Sequence, residues 1–117
     1  MQANNITDPK INAVSQRVVQ AAKEALGDKL DKVILYGSYA RGDYDNESDI
    51  DFFILADIPQ EEVISWQDRV FDSIPNIDLE FDILVSLCVT GKTTFEQCIG
   101  FLPFYRNVLN EGVLVND

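Results

Sequence analysis

The stretch from Val33 to Leu55, VILYGSYARGDYDNESDIDFFIL, constrains this chain more than any other. An apolar run, Val33 to Tyr36, meets Gly37-Ser38 directly, and a polar loop carrying Arg41-Gly42 follows. After the ten residues from Tyr39 to Ser48 come Asp49 and Asp51, with Ile50 between them, and then the apolar run Phe52 to Leu55. Short apolar runs bounded by turn signals read as strands, so two strands flank a glycine turn and a polar loop. Residues i and i+2 of a strand share a face, which sets the two carboxylates side by side, about 7 Å apart along the backbone. Carboxylates placed this way repel unless a cation lies between them. Mg²⁺ suits that position, because it binds through one or two carboxylates together with substrate phosphate oxygens, and two metals roughly 4 Å apart serve in-line phosphoryl transfer. Gly37 lets the backbone approach a triphosphate closely. Ser38 donates a hydroxyl or opens a helix whose free N–H groups face the anion. Both halves ask for one ligand, a Mg-nucleotide.

The charge narrows the partners. Nine basic residues stand against twenty acidic ones, with no histidine, for a net charge of −11. Direct nucleic-acid binding is not expected, because it depends on clustered Lys and Arg. Between Asp43 and Asp82 there are thirteen acids and a single base, Arg69. Two metal ions would not balance thirteen carboxylates, so a basic protein partner is one reading of the excess and a solvated, solubilising surface is the other. Cys88 and Cys98 have no metal or redox spacing, and without histidine a four-ligand zinc site is disfavoured; both read as apolar filler. No run approaches the ~20 apolar residues of a membrane span and no signal peptide is evident, which predicts a cytoplasmic protein. A chain of 117 residues reads as one domain, 1–117.

Along the chain, Asp8-Pro9 predicts a helix start. Ile11, Val14, Val18, Ala21 or Ala22, and Ala25 form its apolar face, and Gly27 ends it. Lys32 to Tyr36 is the first strand, Gly37 to Gly42 a turn and short helix, and Asp49 to Leu55 the second strand, buried on both faces at its apolar end. Arg41 has two readings, contact with an entering nucleotide or surface pairing with Asp43 or Asp45. Ser48 either bonds the phosphates or caps its loop. A helix is expected after Asp57-Ile58-Pro59, through Val63, Trp66, Val70 and Ile74, with Trp66 in the core. Ile77 to Val85 alternates strictly, which predicts a strand with Asp78, Glu80 and Asp82 on one face and Leu79, Phe81 and Ile83 on the other. Thr93-Thr94-Phe95-Glu96 has the form of a capping box opening a helix, and Pro103 begins or bends the next.

Gly37-Ser38, ten residues, then Asp49-x-Asp51 resembles the signature of the DNA polymerase β-like nucleotidyltransferase superfamily. The small size, Arg41-Gly42 and the PFYRNVLNEGV segment are similar to its minimal nucleotidyltransferase branch, so the resemblance covers nearly the whole chain. It implies an α/β (α+β) fold, a small mixed β-sheet flanked by helices. It implies that Gly37, Ser38, Arg41 and Ser48 hold the nucleotide, with Asp49 and Asp51 as catalytic metal ligands. A third carboxylate is also implied, as metal ligand or general base. Asp82 matches it best, flanked by apolar residues on both sides, with Asp78 and Glu80 as fallbacks.

By the same resemblance the chain would be a Mg²⁺-dependent antitoxin that transfers AMP from ATP to a tyrosine hydroxyl of a HEPN-domain ribonuclease toxin. Two other functions fit the residues: an acidic module that neutralises the toxin by binding alone, and a small-molecule transferase acting on cationic acceptors such as aminoglycosides.

Overall fold

A computed structural model describes residues 1–45, 49–74 and 76–116. The first helix, α1 (Pro9–Leu26), begins where the sequence places it. The Asp8 side chain accepts from the Lys10 and Ile11 N–H groups, Pro9 takes the first turn, and Gly27 ends the helix at φ 58°. Strand β1 (Leu30–Tyr36) leads into the four-residue helix α2 (Ser38–Arg41), and strand β2 (Ile50–Ala56) follows the polar loop. A 3₁₀ turn, Gln60–Glu62, leads into α3 (Val63–Asp72). Then come α4 (Ile77–Phe81), β3 (Val85–Gly91), α5 (Lys92–Cys98), α6 (Pro103–Glu111) and the short β4 (Val113–Leu114).

The sheet order is β3-β2-β1-β4. β1 runs antiparallel to β2 and to β4, whereas β2 and β3 are parallel, so the sheet is mixed as expected. Helices cover both faces, which explains why β2 is apolar without alternation from Phe52 to Ala56. Val33, Leu35, Phe52, Ile54, Leu87 and Val89 face the larger core with α1 and α3. Ile34, Phe53 and Leu55 face the smaller core with Phe95 of α5 and Val108 of α6. Trp66 lies half-buried against the larger core and donates from Nε1 to Glu62 Oε1 at 3.2 Å, in keeping with a core role. Both cysteines are partly buried and unpaired. No helix is long and apolar enough to cross a membrane.

Two expectations are corrected. Ile77 to Val85 is not a strand: residues 77–81 form α4, and Asn76 and Asp82 bracket it in the left-handed region at φ 64° and 52°. The alternation that suggested a strand is also compatible with one short helical turn, and a residue such as Ile77 is buried in either case. The strand comes later, at Val85, where pairing with β2 starts at Ile50. The capping box at Thr93 does not form either. Helix α5 opens one residue earlier, Gly91 is its N-cap, and no side chain caps it.

Gly112 seats α6 on the sheet. A Cβ there would collide with the Val108 carbonyl and the Ile34 side chain. Gly112→Ala is therefore expected to destabilise the fold by about 1–3 kcal/mol, the usual cost of overpacking, which urea unfolding would measure.

Candidate active site

Strand register builds the site. Tyr36, the last residue of β1, pairs with Asp51 near the start of β2, and Asp51 in turn lies level with Ser86 of β3. Asp51 shares its face with Phe53 and Leu55, so its carboxylate projects on the α5–α6 side of the sheet, beyond the end of the smaller core. Gly37 follows Tyr36 at φ 75° and is the N-cap of α2. A Cβ on Gly37 would lie 2.7 Å from Asp51 Oδ2. The glycine is thus required twice, by its backbone conformation and by the carboxylate packed against its α-carbon.

Asp49 and Asp51 are brought within electrostatic reach of each other. Partial burial raises the Asp51 pKa above the ordinary carboxylate value, and the neighbouring Asp49 charge raises it further. An acid disfavoured as an anion, beside a second acid, fits a divalent cation. Ser38 is the first residue of α2, whose own hydrogen bonds run from the Ala40 and Arg41 N–H groups to the Gly37 carbonyl. Tyr36 has its phenol pushed up to about 12, chiefly by burial, then by Asp51 and by Cys88, so it stays protonated at neutral pH.

Arg41 adopts the surface pairing weighed from the sequence. Its Nε donates to Asp43 Oδ2 at 3.3 Å and a terminal nitrogen to Glu111 Oε2 at 3.5 Å. It also lines, with Gly37, a cleft of about 210 Å³ against α6, so pairing leaves it beside the turn. Ser48 lies outside the described residues.

Asp82 is not brought to the carboxylate pair. It ends α4 three residues ahead of β3 and lines a different cavity, with Asp8, Lys10, Tyr39, Tyr44 and Asp45. Asp78 turns inward to accept from the Val85 N–H at 3.1 Å, and Glu80 pairs with Arg17 at 2.7 Å, which removes both fallbacks from the site. Among the described residues no group of three acids, cysteines or histidines is close enough to hold a metal ion. Of the predicted ligands, Asp49 and Asp51 are the two that lie within electrostatic reach of each other.

The match to known proteins agrees with this geometry. A family model described as a nucleotidyltransferase domain matches residues 15–115. The chain belongs to that family. The nucleotidyltransferase is similar to two proteins of Methanocaldococcus jannaschii. One, "Putative protein adenylyltransferase MJ0604", is 37% identical over 94 residues, covering 80% of this chain and 86% of the relative. The other, "Putative protein adenylyltransferase MJ0141", is 44% identical over 68 residues, covering 58% and 67%. A crystal structure described as a putative nucleotidyltransferase from Sulfolobus solfataricus shares the fold at a TM-score of 0.51 and 22% identity, over 95% of this chain and 90% of that one. A structure described as a toxin-antitoxin with AMP-PNP superposes at a TM-score of 0.49, too loosely to bear on function. The family and the α/β architecture anticipated from the glycine turn and carboxylate pair are therefore correct.

Sequence reasoning missed several residues at the site. Phe104, Asn107 and Glu111 line the cleft beside Gly37, and only the fold brings α6 to that position. Ser86 was hidden by the misplaced third strand. Tyr39 and Tyr44, whose rings stack at 4.2 Å, line the neighbouring cavity with Asp82.

The burial of Asp51 yields a stability prediction. Its folded-state pKa is raised, so the folded metal-free protein holds the Asp51 proton more tightly than the unfolded chain does. This contribution is intact below the ordinary carboxylate pKa and is lost as pH rises through the folded value. At neutral pH Asp51→Asn is expected to raise the Tm of the metal-free protein. It should also flatten the fall in stability above pH 4 (about the ordinary carboxylate pKa), as read by thermal melts across pH in chelator.

Proposed function

We propose that this nucleotidyltransferase is a single-domain antitoxin that transfers AMP from ATP to a tyrosine hydroxyl of a HEPN-type ribonuclease toxin, with Mg²⁺ as cofactor. The observation that carries the reading is the Asp49–Asp51 pair set against the Gly37 turn, with Asp51 Oδ2 occupying the space a side chain at 37 would need. The protein acceptor is supported by the names of the two Methanocaldococcus relatives and by the acidic surface, which favours a basic partner. The HEPN identity of the toxin, the tyrosine and the cytoplasmic setting follow from the resemblance of the Gly37–Asp51 signature and the C-terminal segment to minimal nucleotidyltransferases.

In this mechanism Asp49 and Asp51 would hold Mg²⁺, which would supply the positive charge that the triphosphate needs at the turn. Gly37 admits the phosphate chain to the backbone, and Ser38 and Arg41 bond its oxygens. Ser48 is assigned to the same phosphate contacts. The tyrosine oxygen attacks the α-phosphorus, the bond to the bridging oxygen breaks, and pyrophosphate leaves. The phenolic proton passes to solvent, because Asp82 lines the separate cavity with Tyr39 and Tyr44 and does not reach the carboxylate pair. The outcome is a phosphodiester-linked AMP on the toxin, whose bulk and negative charge oppose RNA binding.

Incubation of the protein with its toxin, ATP and Mg²⁺ should add one or more AMP masses to the toxin. Asp49→Asn and Asp51→Asn are each expected to slow the transfer more than ~100-fold, beyond the loss typical of outer-shell residues of a metal site, and chelator should abolish it. A toxin neutralised stoichiometrically by the Asn variants without ATP would establish inhibition by binding instead.

A further inference from the structure

Two cavities flank the Gly37–Gly42 turn, and their chemistry differs. The cavity on the α1 side, about 370 Å³, gathers Asp8, Asp45 and Asp82 around a single cation, Lys10. The other, about 210 Å³, lies between the turn and α6 and is lined by Tyr36, Gly37, Arg41, Phe104, Asn107 and Glu111 among others. The second adjoins the carboxylate pair directly, because Gly37 is one of its walls and also touches the space of Asp51 Oδ2. A nucleotide whose phosphates meet Asp49 and Asp51 must place its base to one side of that turn. The three acids of the first cavity repel the anionic end of such a ligand, whereas the second offers an arginine, aromatic carbon and an amide.

We propose that the cleft between the turn and α6 is the nucleobase subsite, where Phe104 stacks the base and Asn107 selects adenine. This rests on the ATP-dependent reading above. The Phe104 ring is 45% exposed, yet its orientation is fixed by edge contacts with Tyr36 at 5.7 Å and Phe53 at 5.8 Å. A fixed, half-exposed ring gives a planar base a surface to stack on. Asn107 lies three residues on, one turn along the same helix, so both side chains project over the cleft. Among the described residues its amide enters no protein hydrogen bond. On the edge that bears N7, a free carboxamide matches the N6 donor and N7 acceptor of adenine and not the O6 and N7 acceptors of guanine. One more turn along, Glu111 pairs with the Arg41 guanidinium on the wall of the cleft.

Calorimetric binding of Mg-ATP, Mg-GTP and inorganic tripolyphosphate to the intact protein and its variants tests this. The unaltered protein should prefer ATP to GTP. Phe104→Ala should weaken ATP about tenfold or more, the scale of a lost base–aromatic stack, and leave tripolyphosphate unchanged. Asn107→Ala, at an exposed position that the fold does not need, should bring the ATP and GTP affinities together. Unchanged ATP affinity in Phe104→Ala, or an unchanged ATP-to-GTP ratio in Asn107→Ala, overturns the subsite while ATP use stands. Should Phe104→Ala weaken both ligands equally, the Asn107→Ala ratio decides. Failure of the unaltered protein to bind ATP, or ATP binding that survives in Asp51→Asn undiminished, instead overturns the reading on which the subsite rests.

Discussion

The contact between the Asp51 carboxylate and the α-carbon of Gly37 is the constraint on which the site depends. Two backbone segments that arrive from opposite directions, the end of β1 and the start of β2, meet there at a distance no side chain at 37 would allow. The same closeness puts a carboxylate within reach of whatever the turn binds. It also carries a cost, since Asp51 is partly desolvated beside Asp49 and its anion is disfavoured without a cation. The disfavoured charge is local to one pair of strand ends.

The sheet supplies the rigidity that such a contact requires. β2 is central, paired with β1 from Asp51 to Ala56 and with β3 from Ile50 to Ala56, and its apolar residues are buried on both faces. Rings from four elements, Tyr36, Phe53, Phe95 and Phe104 with Tyr105, pack together in T-shaped and tilted contacts on the face of β2 that Asp51 shares. Those contacts tie α6 to the strand that bears Asp51. A helix distant in sequence therefore becomes part of the wall around the turn.

What was legible in the sequence was what local chemistry determines. Asp8-Pro9 and Gly27 bound α1 because capping is a property of a few adjacent residues. The Gly37 turn and the strand after it were legible because a glycine between a short apolar run and a polar loop is a local signal, although β2 opens at Ile50 and leaves Asp49 just ahead of it. The third strand was not. Asp78, Glu80 and Asp82 alternate with apolar neighbours as a strand would, and nothing local distinguishes that pattern from a single helical turn entered and left through left-handed residues. Pairing with β2 decides it, and that is a long-range fact: Val85, not Ile77, lies opposite Ile50. The cleft walls failed to show for the same reason, since Phe104 and Asn107 read as ordinary helix positions until α6 is docked.

The two flanks of the turn have opposite character, and this asymmetry bears on how one small domain could serve two substrates. The α6 flank has aromatic carbon, an amide and a cation held between two carboxylates, features that suit an anionic nucleotide with a planar base. The α1 flank carries three acids and a stacked tyrosine pair, Tyr44 bonding Asp8 at 3.4 Å, features that suit a cationic acceptor segment. A charge boundary at Gly37 would orient both substrates before any reaction, because each is repelled from the other's flank. In the proposed transfer the reacting phosphorus would lie where that boundary crosses the carboxylate pair, which sets the donor and the acceptor on opposite sides of Gly37.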